Sequence, residues 1–202
     1  MTLFVYAAPK EGEPFASDPR FSELGVGKVA ATVALTRLML ERSPQQVVLF
    51  GVAGAHPGGP EVGQACLVES DWLADEGVAT PGGFLSLEDL GLGRRGPFTT
   101  SLTLGAWIRA QVGGELPSVI GATVSTCSGS DARAASARSA CPEALVETME
   151  GAAVGAVCEA FGVPWAQLRV ISNRTGDREA AGWDLPGALT VLHDAVGRLL
   201  ET

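Results

Sequence analysis

Two side chains in one stretch stand where chemistry is usually carried. Residues 147–178 read ETMEGAAVGAVCEAFGVPWAQLRVISNRTGDR. An acid, Glu150, lies at the start of a helical pattern that begins at Thr148 or Met149 and is stopped by Gly162 and Pro164. The run Trp165–Ile171 is too short for a helix of its own and predicts a buried strand. That strand opens into a polar loop, Ser172 to Arg178, which carries an amide, Asn173. In open α/β sheets ligands bind beyond the carboxyl ends of strands, so Asn173 is placed to meet one.

Other reactive residues are fewer. Lys10-Glu11-Gly12-Glu13-Pro14 follows a short apolar strand, Leu3 to Ala8. Its two acids fit a solvated turn, or a strand-end carboxylate facing a ligand. A second buried strand, Gln46 to Val52, opens into the Gly-rich loop Gly51–Gly59, where backbone can approach a ligand closely. A lone His56 in that loop is more often a surface residue than a catalyst. The cysteines, Cys66, Cys127, Cys141 and Cys158, form no CxxC pair, so a zinc site is not expected and reduced, mostly buried thiols are. Two phosphate motifs around Gly25-Val26-Gly27-Lys28 fail. A P-loop needs Gly where Ser22 stands and Ser or Thr where Val29 stands, and no strand leads into the glycines as a dinucleotide fold requires. These glycines read as packing and turn residues, and no cofactor is expected.

The elements that must hold these residues alternate along the chain. Gly25–Glu41 and Leu102–Val112 read as core-facing helices and Leu189–Leu200 as a closing one. Val62–Ser70 and Val119–Cys127 read as strands. Asp71–Gly96 is mixed, beginning as an acidic loop, and Asp131–Arg138 is a polar, Ala-rich helix or loop. The pattern predicts an α/β sandwich around a largely parallel sheet, in a single domain over residues 1–202. With 202 residues, 46% of them hydrophobic, the chain can bury one sizeable core. A net charge of -9 argues against nucleic acid and anionic membranes as partners. With no leader pattern and no apolar run of membrane-spanning length, a cytoplasmic protein is expected.

The words GVGKVAAT, a strand into a GxxG loop, MEGAAV, then a strand into ISN, in this order, resemble the nucleoside phosphorylase and nucleosidase superfamily. Within it, VESDWLADEG, GFLSLEDLGL, TMEGAAV and ISNRTGDR are most similar to the futalosine hydrolases, enzymes of menaquinone synthesis. The resemblance covers nearly the whole chain. It implies a three-layer sandwich with a central twisted mixed sheet flanked by helices, a nucleoside substrate and a homo-oligomer. Carried over position by position, it makes Glu150 the ribose-binding acid, with Met149 packing on the sugar. Glu13 positions the attacking water, with Glu11 as the fallback. Ala53 and Gly54 border the substrate.

Asn173 stands where adenine-specific nucleosidases carry Asp. An Asn can accept from a protonated N7 while donating to a 6-oxo group, which favours hypoxanthine over adenine. Asp177 is a proton source or a loop brace. Cys127 replaces the stacking Phe of adenosine-type enzymes, leaving Phe84 or Trp72 to cover the base. The loop VAGAHPGG has no Ser, Thr or Arg to hold phosphate, so hydrolysis is expected rather than phosphorolysis. The alternatives are a methylthioadenosine/S-adenosylhomocysteine nucleosidase, a purine nucleoside phosphorylase, and a nucleoside-binding protein without turnover.

Overall fold

The structure is a computed structural model that describes residues 1–179 and 182–201. Among the described residues ten strands and six helices follow one another: β1 (Thr2–Tyr6), α1 (Pro9–Gly12), a 3-10 turn (Glu13–Phe15), β2 (Phe21–Glu23), α2 (Lys28–Arg42) and β3 (Gln46–Ala55). Then come β4 (Ala65–Leu73), β5 (Gly77–Thr80), β6 (Gly83–Ser86), β7 (Phe98–Thr99), α3 (Leu102–Val112) and β8 (Ser118–Thr123). The chain closes with α4 (Asp131–Ala140), β9 (Val146–Thr148), α5 (Gly151–Phe161), β10 (Trp165–Arg174) and α6 (Leu185–Arg198).

The main sheet runs β10-β4-β8-β9-β3-β1-β2, with β7 on β4. Because β10 also pairs with β3, the strands β10, β4, β8, β9 and β3 close on themselves, and β1 and β2 extend outward from β3. The sheet is mixed. The β1–β2, β1–β3, β3–β10, β4–β8 and β8–β9 pairs are parallel, and β4 and β9 run antiparallel to β10 and β3.

Strand alternation builds the layers. Phe4, Tyr6, Val48 and Phe50 pack with α3 and α6 on one face. Leu3, Val5, Val47 and Leu49 pack with α2 and α5 on the other. This is the expected three-layer sandwich around a mixed sheet. Helix ends use local chemistry: Ser101, Ser130 and Asp184 accept the N–H groups of Leu104, Arg133 and Gly187, and Gly162, at φ 65°, ends α5.

Two sequence expectations are corrected. Thr148 is not the start of a helix. Val146–Thr148 is a short strand between β3 and β8, and α5 begins at Gly151. Asp71 is not in a loop, because β4 runs on to Leu73 and Asp71 is fully buried within it.

Candidate active site

Glu11 lies on the one-turn helix α1, directly beyond β1. It is buried, and its carboxylate accepts three backbone N–H groups: Ala7 at 3.0 Å, Ala8 at 2.9 Å and Val52 at 2.8 Å. Two of these donors directly follow β1 and the third lies within β3, so the two strands hold the carboxylate between them. Glu13 is exposed on the following 3-10 turn. The structure therefore puts Glu11, not Glu13, at the strand ends. Pro9 starts a helical turn that brings the first acid inward and leaves the second outside.

Arg169 is the neighbour that the sequence reading missed. It lies in β10, is 1% exposed, and its Nη1 donates to the Val52 carbonyl at 3.3 Å. Its Nε and Nη2 have no hydrogen-bond partner among the described residues. A buried guanidinium with unused donors is costly unless something occupies them. Gly51 makes room for this arrangement, since a Cβ there would lie 2.5 Å from Glu11 Oε1 and 2.6 Å from Arg169 Nη1.

Glu150 completes the cluster. Its Oε2 is 3.7 Å from Arg169 Nη2, and its Oε1 accepts the Gly27 N–H at 2.8 Å. Burial pushes its carboxyl above the usual range and the Glu11 charge adds to this, while Arg169 and Gly27 pull it down. Glu150 is the N-cap of α5 but does not cap it with its side chain. Thr148 Oγ1 accepts the Gly151 N–H at 3.3 Å and Thr123 Oγ1 accepts that of Ala152 at 2.8 Å. Two hydroxyls satisfy the helix start, and the Glu150 carboxylate is free to face the cluster.

Beneath the helix start lies Asp71. Thr123 Oγ1 donates to it at 2.8 Å and Gln167 Nε2 at 2.9 Å, and burial raises its carboxyl. A Cβ at Gly151 would fall 2.0 Å from Asp71 Oδ2, so the Gly of TMEGAAV is needed for close approach.

Asn173 is half-buried at the end of β10. Its Oδ1 accepts the Ser172 hydroxyl at 2.9 Å and its Nδ2 donates to the Arg174 carbonyl at 2.8 Å. The carbonyl can only accept, so it fixes which end of the amide is nitrogen. One acceptor lone pair and one N–H are left over. A cavity of about 130 Å³ opens here, bordered by Gly54, Cys127, Glu147, Asn173, Arg178 and Trp183. A Cβ at Gly54 would sit 3.2 Å from Thr175 Cγ2 and 3.4 Å from Asn173 Nδ2, a snug fit at the cavity floor.

The remaining expectations divide. Gly54 and Cys127 border the cavity, and half-buried Met149 adjoins Glu150. Ala53 is buried, and its carbonyl accepts the Ser172 hydroxyl. Phe84 lies in the separate β5–β6 hairpin, against Gly77, and does not border the cavity. Trp72 lies under Arg95, 5.1 Å from the ring centre. The aromatic at the cavity is Trp183, with Arg178 4.0 Å over its ring. Asp177 is exposed and braces its loop, accepting the Glu179 N–H at 3.2 Å. His56 is fully buried rather than on the surface. Its Nδ1 pairs with Thr175 Oγ1 at 2.9 Å, and burial lowers its pKa to about 4. Cys66, Cys141 and Cys158 are buried free thiols and Cys127 is exposed.

The chain thus sets two buried acids, Glu11 and Glu150, around Arg169 of β10 in a closed mixed sheet. The chain belongs to the phosphorylase superfamily, whose family model matches residues 17–201. The structure superposes on the methylthioadenosine/S-adenosylhomocysteine nucleosidase of Neisseria meningitidis, solved with methylthio-immucillin-A, with a TM-score of 0.81 at 19% identity over 99% of this chain and 98% of that one. In sequence it is 37% identical over 200 residues to the futalosine hydrolase of Thermus thermophilus, covering 94% of this chain and 88% of the relative. It is 35% identical over 182 residues to that of Acidothermus cellulolyticus, covering 87% and 72%. These identities place it in the futalosine hydrolase family.

Proposed function

We propose that this protein hydrolyses the N-glycosidic bond of futalosine, releasing hypoxanthine and dehypoxanthine futalosine. The observation that carries the reading is the pair of buried acids, Glu11 and Glu150, set around one arginine beside the cleft that holds Asn173. Breaking the C1′–N9 bond builds positive charge on the ribose and negative charge on the base. As a carboxylate, favoured by Arg169 and the Gly27 N–H, Glu150 stabilises the oxocarbenium-like state and anchors ribose hydroxyls. Water sits between Glu11 and the unused donors of Arg169. Arg169 fixes its oxygen, and Glu11 takes its proton as the oxygen bonds to C1′. The leaving base takes up a proton from solvent at N7. Asn173 accepts from that N7–H and donates to O6.

Water rather than phosphate is the nucleophile because of charge. Two carboxylates surround a single guanidinium, so an incoming dianion would face net negative charge at close range. Incubation with futalosine should give hypoxanthine and a free sugar at the same rate with and without phosphate. A sugar phosphate, formed only when phosphate is present, would make the protein a phosphorylase. Release of adenine from methylthioadenosine in preference to hypoxanthine from futalosine would make it an adenosine-type nucleosidase. The working unit in this reading is a homo-oligomer, supported by an uncovered apolar stripe on α2.

A further inference from the structure

The residue that adjoins Asn173 across the cavity is Glu147, which the reaction as derived above does not use. In the sheet, Gly54 of β3 is the register partner of Asn173 on one side and of Glu147 on the other. Register partners point to the same face, so the two side chains flank a glycine floor about 10 Å apart, two strand spacings. Both border the same cavity. Glu147 is 5% exposed, and among the described residues its side-chain hydrogen bonds come from Ser128: the Ser128 N–H donates to Oε1 at 2.7 Å and the hydroxyl to Oε2 at 2.5 Å. An amide N–H can only donate, so Oε1 is an acceptor. A carboxylate offers about four acceptor positions, and Ser128 fills two of them.

We infer that Glu147 accepts the N1–H of a 6-oxopurine and so determines base specificity together with Asn173. The inference rests on the nucleosidase reading above. Around the six-membered ring, hypoxanthine presents N1–H as a donor beside its O6 acceptor. Adenine presents a bare N1 lone pair beside an amino donor. A carboxylate at N1 bonds the first and repels the second. Asn173 reads N7 and the 6-substituent, and Glu147 reads N1, so one base is checked at adjoining positions by two different elements. The cost of burying this acid then has a purpose that bracing Ser128 alone, which a Gln would also do, does not supply.

The test compares kcat/KM for futalosine and its 6-amino counterpart in wild type and Glu147→Gln. The variant should lower the 6-oxo to 6-amino ratio by about tenfold to a hundredfold, the cost of one mispaired buried group. A purely bracing role would leave the ratio where it was, which overturns the inference. A second arm needs no variant and no turnover: calorimetric binding of free hypoxanthine and 1-methylhypoxanthine to the wild-type protein. Binding of hypoxanthine at least tenfold tighter supports the N1–H contact, and equal binding overturns it. If the wild type discriminates between these bases but does not cleave futalosine, the reaction is wrong and the base reading stands. If it cleaves futalosine but neither arm discriminates, only the role of Glu147 falls.

Discussion

The catalytic assignment turns on which of two nearly adjacent acids faces the cluster. Three backbone N–H groups converge on Glu11, and Glu13 is exposed. Glu11→Gln should therefore lower kcat by at least ~10², the usual worth of a positioned base. It should also reduce stability, because the amide nitrogen faces backbone donors, a mismatch of about 1–3 kcal/mol. Rates are then compared per folded molecule, with folding checked by circular dichroism. Glu13→Gln should stay within about twofold of wild type, as an exposed position away from the chemistry. The reverse ranking would move the water to the other face of the turn. Sequence reasoning placed an acid in this turn but chose Glu13, the exposed one, and kept the buried Glu11 as the fallback. The choice depends on how many residues the chain spends turning after β1, and Pro9 at a helix start shifts that register.

At the scale of elements, most of the sheet and its helices were legible because strand and helix periods differ so plainly. β1, β3, β10, α2, α3 and α6 lie where their apolar patterns put them. β9 was not legible. Three residues give no period, and its Glu and Thr look like a helix N-terminus until Gly54 and Gly121 are seen to pair with it. Arg169 was hidden in a run read as continuously apolar. The available signal was alternation, since Gln167 and Arg169 occupy alternate positions of a buried strand and so share one face. Helix α2 carries a pattern of a different kind. Ala31, Leu35 and Met39 are buried, while Val29, Val33 and Leu40 are exposed on the opposite side. A helix apolar on two faces has one face still to cover. Beside it, Ala153 and Ala156 of α5 continue the surface. Replacing Val29 and Val33 together with Glu should shift the protein to a monomer in sedimentation equilibrium at micromolar concentration. A wild type that sediments as a monomer under the same conditions removes the oligomer from the proposal.

For the whole molecule, the buried ionisable groups set how stability follows pH, and they act in opposite directions. His56 is neutral in the fold, with its pKa lowered from 6.5 to about 4 by burial and by the charge of Arg138. Between those two values the unfolded chain binds a proton that the folded chain refuses, so acid favours unfolding. Its contribution is complete above 6.5 and is lost as pH falls toward 4. At about 1.4 kcal/mol per pH unit the full swing is about 3 kcal/mol. Asp71, Glu147 and Glu150 are raised by burial, so the folded chain holds their protons to higher pH than the unfolded chain does. Their contribution is largest in acid and fades as pH rises through their folded values, partly masking the slope from His56. A difference measurement isolates it. Urea unfolding of wild type and His56→Asn should be compared at steps from pH 7.5 to 4.5. The Asn can keep a bond to Thr175 but does not titrate. The stability of the wild type relative to the variant should fall as pH drops below 6.5, most steeply between 6 and 4.5, by up to about 2–3 kcal/mol. A constant difference across that range would mean that His56 takes up its proton inside the fold as readily as in water, with its unpaired Nε2 reached by solvent.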